Sequence, residues 1–181
     1  MPLLMLKDVP RYECLRKAAE RYPTMELSAS ETFLNLLRTA DMVFAEKGRY
    51  LSQLNLSQGR FSVLMLLNNC CEGPTTPAAL ADEAGVTRAT MTGIVDTLER
   101  DGLVSREPDP HDRRTVRLQL TQEGQAFVEG MLPGWFKCVS SVIGPLDESE
   151  RKTLVDLLHK IQTGLTSAPN LKTESPNSTE S

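Results

Sequence analysis

The sequence predicts a mainly α-helical chain that carries one small β-hairpin. Helix starts are marked by hydroxyl or acidic caps ahead of apolar residues spaced three and four apart, and Gly85 and Gly102 close two of these stretches. Between residues 103 and 120 the apolar period changes from helical to alternating. With 181 residues and 40% hydrophobic content, the chain has enough length and apolar mass to bury a core.

Residues 8–22 fit a short helix that stops before Pro23, with Leu15, Ala18, Ala19 and Tyr22 at helical spacing, as an extension that docks on the main body. Ser28 and Glu31 have the spacing of a capping box, in which hydroxyl and carboxylate each satisfy an early backbone donor, so a long helix is expected from Ser28 to about Leu51. Ser57 is the next expected cap, with Leu56 placed to staple onto Phe61, and a buried run Val63-Leu64-Met65-Leu66-Leu67 carries that helix to about Asn69. Thr76-Pro77 combines a hydroxyl cap with proline at the first helical position and opens a short helix that Gly85 ends. Thr87 caps a further helix through Met91, Ile94, Val95 and Leu98 until Gly102. Two helices joined by a tight glycine turn form a helix-turn-helix pattern.

Strands are then expected at Leu103–Arg106 and at Thr115–Leu120, with Val116, Leu118 and Leu120 on one face. The loop between them, Glu107-Pro-Asp-Pro-His-Asp-Arg-Arg114, is too long for a two-residue turn and would project as a wing. Thr121 caps a long helix bearing Phe127, Met131, Trp135, Val139 and Val142, with a kink expected at Pro133-Gly134. Asp147 and Glu150 cap a last helix with Leu154, Leu157, Leu158, Ile161 and Leu165 on one stripe. Thr166–Ser181, rich in Ser, Thr, Pro and Asn, is expected to be a disordered tail.

Charge and composition exclude several classes. A net charge of −4 and a pI near 5.3 argue against a polybasic coat or a membrane-surface binder, while leaving room for a local basic tip. No apolar run reaches the roughly 18 residues a membrane span needs, and the first eight residues lack a signal-peptide core and cleavage pattern, so a cytoplasmic location is expected. Cys14, Cys70, Cys71 and Cys138, with His111 and His159, show neither metal-ligand spacing nor a disulfide framework, so no metal or cofactor is expected. An enzyme would need a nucleophile with a nearby base or a resolving cysteine, and no such spacing occurs.

A helix-turn-helix places the start of its second helix in the DNA major groove. Here that start is Thr87-Arg88-Ala89-Thr90-Met91-Thr92-Gly93. Arg88 suits a bidentate base contact, Thr87, Thr90 and Thr92 suit phosphates or a thymine methyl, and small Ala89 and Gly93 permit close approach. An exposed capped helix of no such function fits these residues equally well. The wing favours DNA, because a solvated loop has no structural need for adjacent Arg113 and Arg114, whereas arginines inserted in a narrow minor groove add affinity. Asp112 is then a brace that orients a neighbouring guanidinium. Between Pro77 and Leu120 stand six arginines, no lysine and eight acids, so the position of each charge must outweigh their sum; Asp82, Glu83, Asp96, Glu99 and Asp101 are expected to lie away from the duplex.

Three stretches carry a family resemblance: Leu80-Ala-Asp-Glu-Ala-Gly-Val86, Met91-Thr-Gly-Ile-Val-Asp-Thr-Leu-Glu-Arg-Asp-Gly-Leu-Val104, and Asp109-Pro-His-Asp-Arg-Arg114 followed by Leu120-Thr-Gln-Glu-Gly124. They resemble the winged-helix core of the MarR family of bacterial transcription regulators, and the helix order is similar from about Ser28 to Leu165. The resemblance implies a winged helix-turn-helix with N- and C-terminal dimerisation helices. It also implies a homodimer reading a pseudopalindromic double-stranded operator, a repressor in the first instance, and a small-molecule or oxidant signal that changes affinity. Many relatives carry arginine where this chain has Thr97, so no phosphate contact is expected from that position. The N-terminal extension resembles the urate-responsive branch, but it has no tryptophan, and Ser62 stands where that branch tends to have an acid, so a urate-type ligand is not implied. Cys14, among Arg11, Arg16 and Lys17, has the neighbours of a reactive thiol, yet it precedes the main first helix in which redox-sensing members carry theirs.

Dimerisation also follows from the residues, since the stripe Phe33, Leu36, Leu37, Ala40, Phe44 and that of the last helix exceed what a small winged module can cover; packing within one chain is the other reading. A ligand cleft between dimerisation helices and winged module would be lined by Tyr50, Arg60, Phe61, Met65 and Trp135, each of which also fits ordinary core or rim. The expected organisation is an extension (1–27), a dimerisation helix (28–56), the DNA-binding domain (57–121), dimerisation helices (122–165) and a tail (166–181). The competing function is a winged-helix module that binds protein without DNA.

Overall fold

The computed structural model describes residues 12–69, 75–108 and 115–167, and the structural statements concern these. In chain order the elements are α1 (Tyr12–Arg21), α2 (Leu27–Gln53), α3 (Gln58–Asn69), α4 (Pro77–Ala84), α5 (Arg88–Arg100), β1 (Val104–Pro108), β2 (Val116–Leu120), α6 (Gln122–Ile143) and α7 (Glu148–Ser167). The expected class, mainly α with a hairpin wing, is the observed one. The wing tip with Asp112, Arg113 and Arg114, and the pair Cys70-Cys71, lie outside the described residues, as does the tail from residue 168.

Local capping chemistry explains most boundaries. The Thr76 hydroxyl accepts from the Ala79 amide at 3.1 Å and the Thr87 hydroxyl from the Thr90 amide at 3.2 Å. Ser57 and Thr121 do the same for Arg60 (3.3 Å) and Gly124 (2.9 Å). Gly85 and Gly102, at φ 64° and 73°, adopt the left-handed conformation that lets the chain turn out of α4 and away from the end of α5. One expected cap is displaced. The first intrahelical bond of α2 runs from the Ser30 amide to the Glu26 carbonyl, so Glu26 is the cap residue and makes no side-chain cap bond. Ser28 therefore lies inside the first turn, where its carbonyl accepts from the Thr32 hydroxyl, and no box with Glu31 forms. The expected tail also starts too early, because Thr166 and Ser167 still belong to α7.

The chain forms two compact units, Met1–Cys138 and Val139–Ser181. In the first, α1 packs on α2 through buried Leu15, while α3 packs against α4, α5 and β2. Leu64, Leu80, Met91, Val95, Leu98, Leu118 and Val128 are fully buried in its core, which brings α3, α4, α5, the hairpin and α6 together. The strands are antiparallel, from Val104 opposite Leu120 to Pro108 opposite Val116, and Thr75 bridges to Leu118 on the outer side of β2. The strand expectations were shifted along β1, which runs on to Pro108, and one residue early on β2. In the second unit, the Asp147 carboxylate accepts from the Ser149 and Glu150 amides, and the Glu150 carboxylate answers the Asp147 amide at 2.8 Å. The Glu150 amide and the Ser149 hydroxyl hold the Asp147 carboxyl below its ordinary range, so this cap persists until the pH falls below that range. α7 itself has no buried side chain. No helix among the described residues is long and apolar enough to cross a membrane.

Candidate nucleic-acid interface

The start of α5 presents Arg88, Ala89, Thr90 and Thr92 to solvent, while Met91 and Val95 on the opposite face are fully buried. This is the helical period of a helix anchored on one face and open to solvent on the other. The Thr87 and Thr90 hydroxyls are 2.9 Å apart, and the Thr92 hydroxyl donates to the Arg88 carbonyl at 2.9 Å. Both bonds orient threonine methyls and remaining lone pairs without consuming them. Among the described residues no carboxylate pairs with Arg88. An open groove of about 500 Å³ is lined by Thr76, Pro77 and Ala78 at the head of α4, Arg88 and Thr92 of α5, and Thr115 and Val116 at the wing. Two helix N-termini thus flank or approach one groove, where backbone donors and the helix dipole favour phosphate. Replacing Thr87 by alanine removes the acceptor of the Thr90 amide and is expected to cost about 1 kcal/mol of stability by urea unfolding, with Thr87→Ser close to wild type.

Several acids of this module are paired within it. Asp96 and Glu99 of α5 are both held by Arg106 of β1, Asp101 is held by Arg60 of α3, and Glu107 accepts from the Gln119 amide at 2.5 Å. Thr97 bonds back to the Gly93 carbonyl. Arg106 was not anticipated from sequence, although strand alternation places it on the face of buried Val104, opposite Leu118, and so toward α5.

The residues expected around a ligand cleft separate into two groups. Tyr50, Phe61 and Trp135 come together: ring centroids are 6.0 Å apart for Tyr50 and Trp135 and 4.9 Å for Phe61 and Trp135, and the Tyr50 hydroxyl donates to the Met131 carbonyl at 2.5 Å. Burial, the largest influence, raises the Tyr50 phenol above its usual range. Met65 packs against the same core, one turn along α3 from Phe61. Arg60, by contrast, is engaged with Asp101 and reaches the Asn55 carbonyl at 3.5 Å. Sequence reasoning missed Lys47, whose ammonium lies 4.9 Å from the Phe61 ring centre and 6.0 Å from that of Trp135. Burial lowers its pKa, and no carboxylate among the described residues pairs with it. Of the cysteines described, Cys14 is exposed and Cys138 half-buried, and no cluster among the described residues has the makings of a metal site.

Comparison with known proteins agrees with this geometry. The MarR family model matches residues 56–116. The HTH-type transcriptional repressor YetL of Bacillus subtilis (strain 168) is 35% identical over 153 residues, covering 84% of this chain and 92% of YetL. The chain belongs to the MarR family. It is a DNA-binding transcription regulator of the winged-helix type, in keeping with the expectation of a regulator rather than an enzyme. Among solved MarR-family structures, a mutant MarR of E. coli complexed with operator DNA matches with a TM-score of 0.61 at 30% identity, over 72% of this chain and 95% of that one. BpsR of Bordetella bronchiseptica, whose DNA binding is regulated by 6-hydroxynicotinic acid, matches with a TM-score of 0.62 at 28% identity, over 73% and 98%.

Proposed function

We propose that this MarR-family chain is a cytoplasmic homodimeric repressor that reads a pseudopalindromic operator with α5 and the wing. The observation that carries the reading is the groove between the head of α5 and the wing, where Arg88 stands exposed beside Thr92 and no carboxylate among the described residues neutralises it. In this reading Arg88 contacts a base edge, Thr87, Thr90 and Thr92 contact phosphate or a thymine methyl, and Ala89 allows close approach. Asp112 braces the wing tip while Arg113 and Arg114 reach the backbone and minor groove. Dimerisation is supported by apolar side chains left open on two helices. Phe33, Leu37 and Phe44 of α2 are exposed, and so are Leu154, Leu157, Ile161 and Leu165 of α7, a larger apolar display than a monomer needs. Sedimentation of the chain alone and with duplex is the test: a dimer that binds one duplex is expected, and a monomer in both conditions contradicts the reading.

Release by a small molecule is supported by the Lys47, Tyr50, Phe61, Trp135 cluster, with Met65 near it. A half-buried cation against aromatic walls is suited to a planar aromatic carboxylate, whose ring stacks while its charge meets the ammonium. Arg60, already engaged with Asp101, is left as a structural neighbour rather than the charge partner. Titration of protein–DNA complexes with benzoate- and nicotinate-type acids is expected to release wild type from DNA, and Lys47→Met to keep DNA affinity while raising the releasing concentration at least tenfold. Equal release of the two proteins by every acid that acts would remove Lys47 from the site.

A further inference from the structure

The wing leaves the core on two strands, and each has its own lateral support. On β2, Thr75 pairs with Leu118 through N···O contacts of 3.2 and 2.7 Å. On β1, Arg106 extends one guanidinium nitrogen to Glu99 and the other to Asp96, each at 2.5 Å. Asp96 and Glu99 are three apart on α5 and therefore share a face of the helix whose N-terminus carries Arg88. A two-stranded ribbon is marginally stable alone and variable in twist, so its angle to the recognition helix depends on such side supports.

We infer that Arg106 is a positioning residue for DNA reading, gripping Asp96 and Glu99 so that wing and recognition helix meet the duplex as one piece. The inference rests on the DNA-reading role proposed above. Stability is a poor explanation for the fork, because the Asp96 and Glu99 side chains are 56% and 39% exposed and exposed ion pairs contribute little to folding. An apolar side chain at 106 would also continue the face of Val104 and Leu118 without calling for two acids on α5. The backbone base of the hairpin is held separately, by the Leu103 amide donating to the Leu98 carbonyl at 2.9 Å, so the fork acts farther out, where Glu107 and Pro108 are already exposed.

The sign of one measurement separates this role from simple electrostatics. Asp96→Ala/Glu99→Ala removes two negative charges from a DNA-binding module, and charge alone then predicts tighter binding. Positioning predicts the reverse. In titrations of full-length protein with a retained duplex at several salt concentrations, the double variant and Arg106→Gln are each expected to bind at least tenfold more weakly and with a shallower salt dependence, at unchanged helicity. Arg106→Lys, which keeps the charge but cannot span both carboxylates, is expected to fall between them and wild type. Affinity of the double variant equal to or above wild type would overturn the inference. Should wild type retain no duplex at all, the DNA-reading proposal fails and the fork is judged by amide exchange in β1: faster exchange in the double variant upholds the grip, and unchanged exchange overturns it.

Discussion

Gly124→Ala is expected to destabilise the protein by about 3 kcal/mol, the upper part of the range for forced overpacking. A Cβ built at Gly124 lies 1.9 Å from the Leu103 carbonyl oxygen and 2.9 Å from its carbon, so the obstacle is backbone and no rotamer change relieves it. The backbone cannot easily retreat either. Leu103 accepts from the Thr121 amide at 3.1 Å, the Thr121 hydroxyl donates to the Gly102 carbonyl at 2.6 Å, and the Gly124 amide donates to that hydroxyl. These bonds hold the first turn of α6 on the link between α5 and β1, so separating them is expected to disturb the proposed DNA-reading surface as well as the core. Alanine inside a helix ordinarily gains up to about 1 kcal/mol over glycine. Gly130 on the same helix meets nothing within 4 Å of its added Cβ, so Gly130→Ala is the matched control and should be neutral or stabilising. Thermal unfolding of both variants, with a midpoint falling by roughly 6–12 °C for Gly124→Ala and holding or rising for Gly130→Ala, is the check. A Gly124→Ala protein as stable as wild type would show that α6 is not seated on Leu103 as described.

Arg88→Ala is expected to cost about 1–3 kcal/mol per half-site, the worth of one bidentate base contact, so a dimer using two copies should lose roughly a hundredfold or more on its preferred duplex. The exposed, helix-starting position of Arg88 puts its effect on binding rather than folding, and the Thr87 cap on the Thr90 amide remains intact. Affinity for unrelated duplex should fall less, because phosphate contacts from other groups do not depend on base identity. Lysine should not restore the preference, since an ammonium cannot match the two acceptors of guanine as a guanidinium does. Titration of labelled preferred and scrambled duplexes reads both terms. Equal affinity of wild type and Arg88→Ala for the preferred duplex would remove Arg88 from base reading.

What the sequence made legible was mostly chemistry completed within three or four residues. Thr76, Thr87, Thr121 and Asp147 bond to amides close by, so their caps could be read without knowing the fold. The change of apolar period located the hairpin because one of its faces packs on a core containing Leu118 and Val104. Ser28 fails as a cap for a complementary reason: several residues near Glu26 could start the helix, and local spacing does not choose among them. Partners distant in sequence were out of reach. Arg60 meets Asp101 across 41 positions, which turns it away from the role its place near Phe61 suggested, and Lys47 meets Phe61 and Trp135 only once α2, α3 and α6 are packed. Arg106 lay between these cases. Period two placed it on the inner face, and the spacing of Asp96 and Glu99 offered a matching pair, so a search for charge on the buried side of β1 could have found it.

Selection from a random duplex library with the purified full-length chain at moderate salt, followed by sequencing of the retained DNA, tests the central claim most directly. An enriched inverted repeat with half-sites about one helical turn apart is the predicted result, because two copies of α5 related by a two-fold axis must enter successive major grooves on one side of the duplex. Retention without any enriched repeat, or no retention by a folded dimer, would contradict a pseudopalindromic reader and favour a winged helix that binds protein instead.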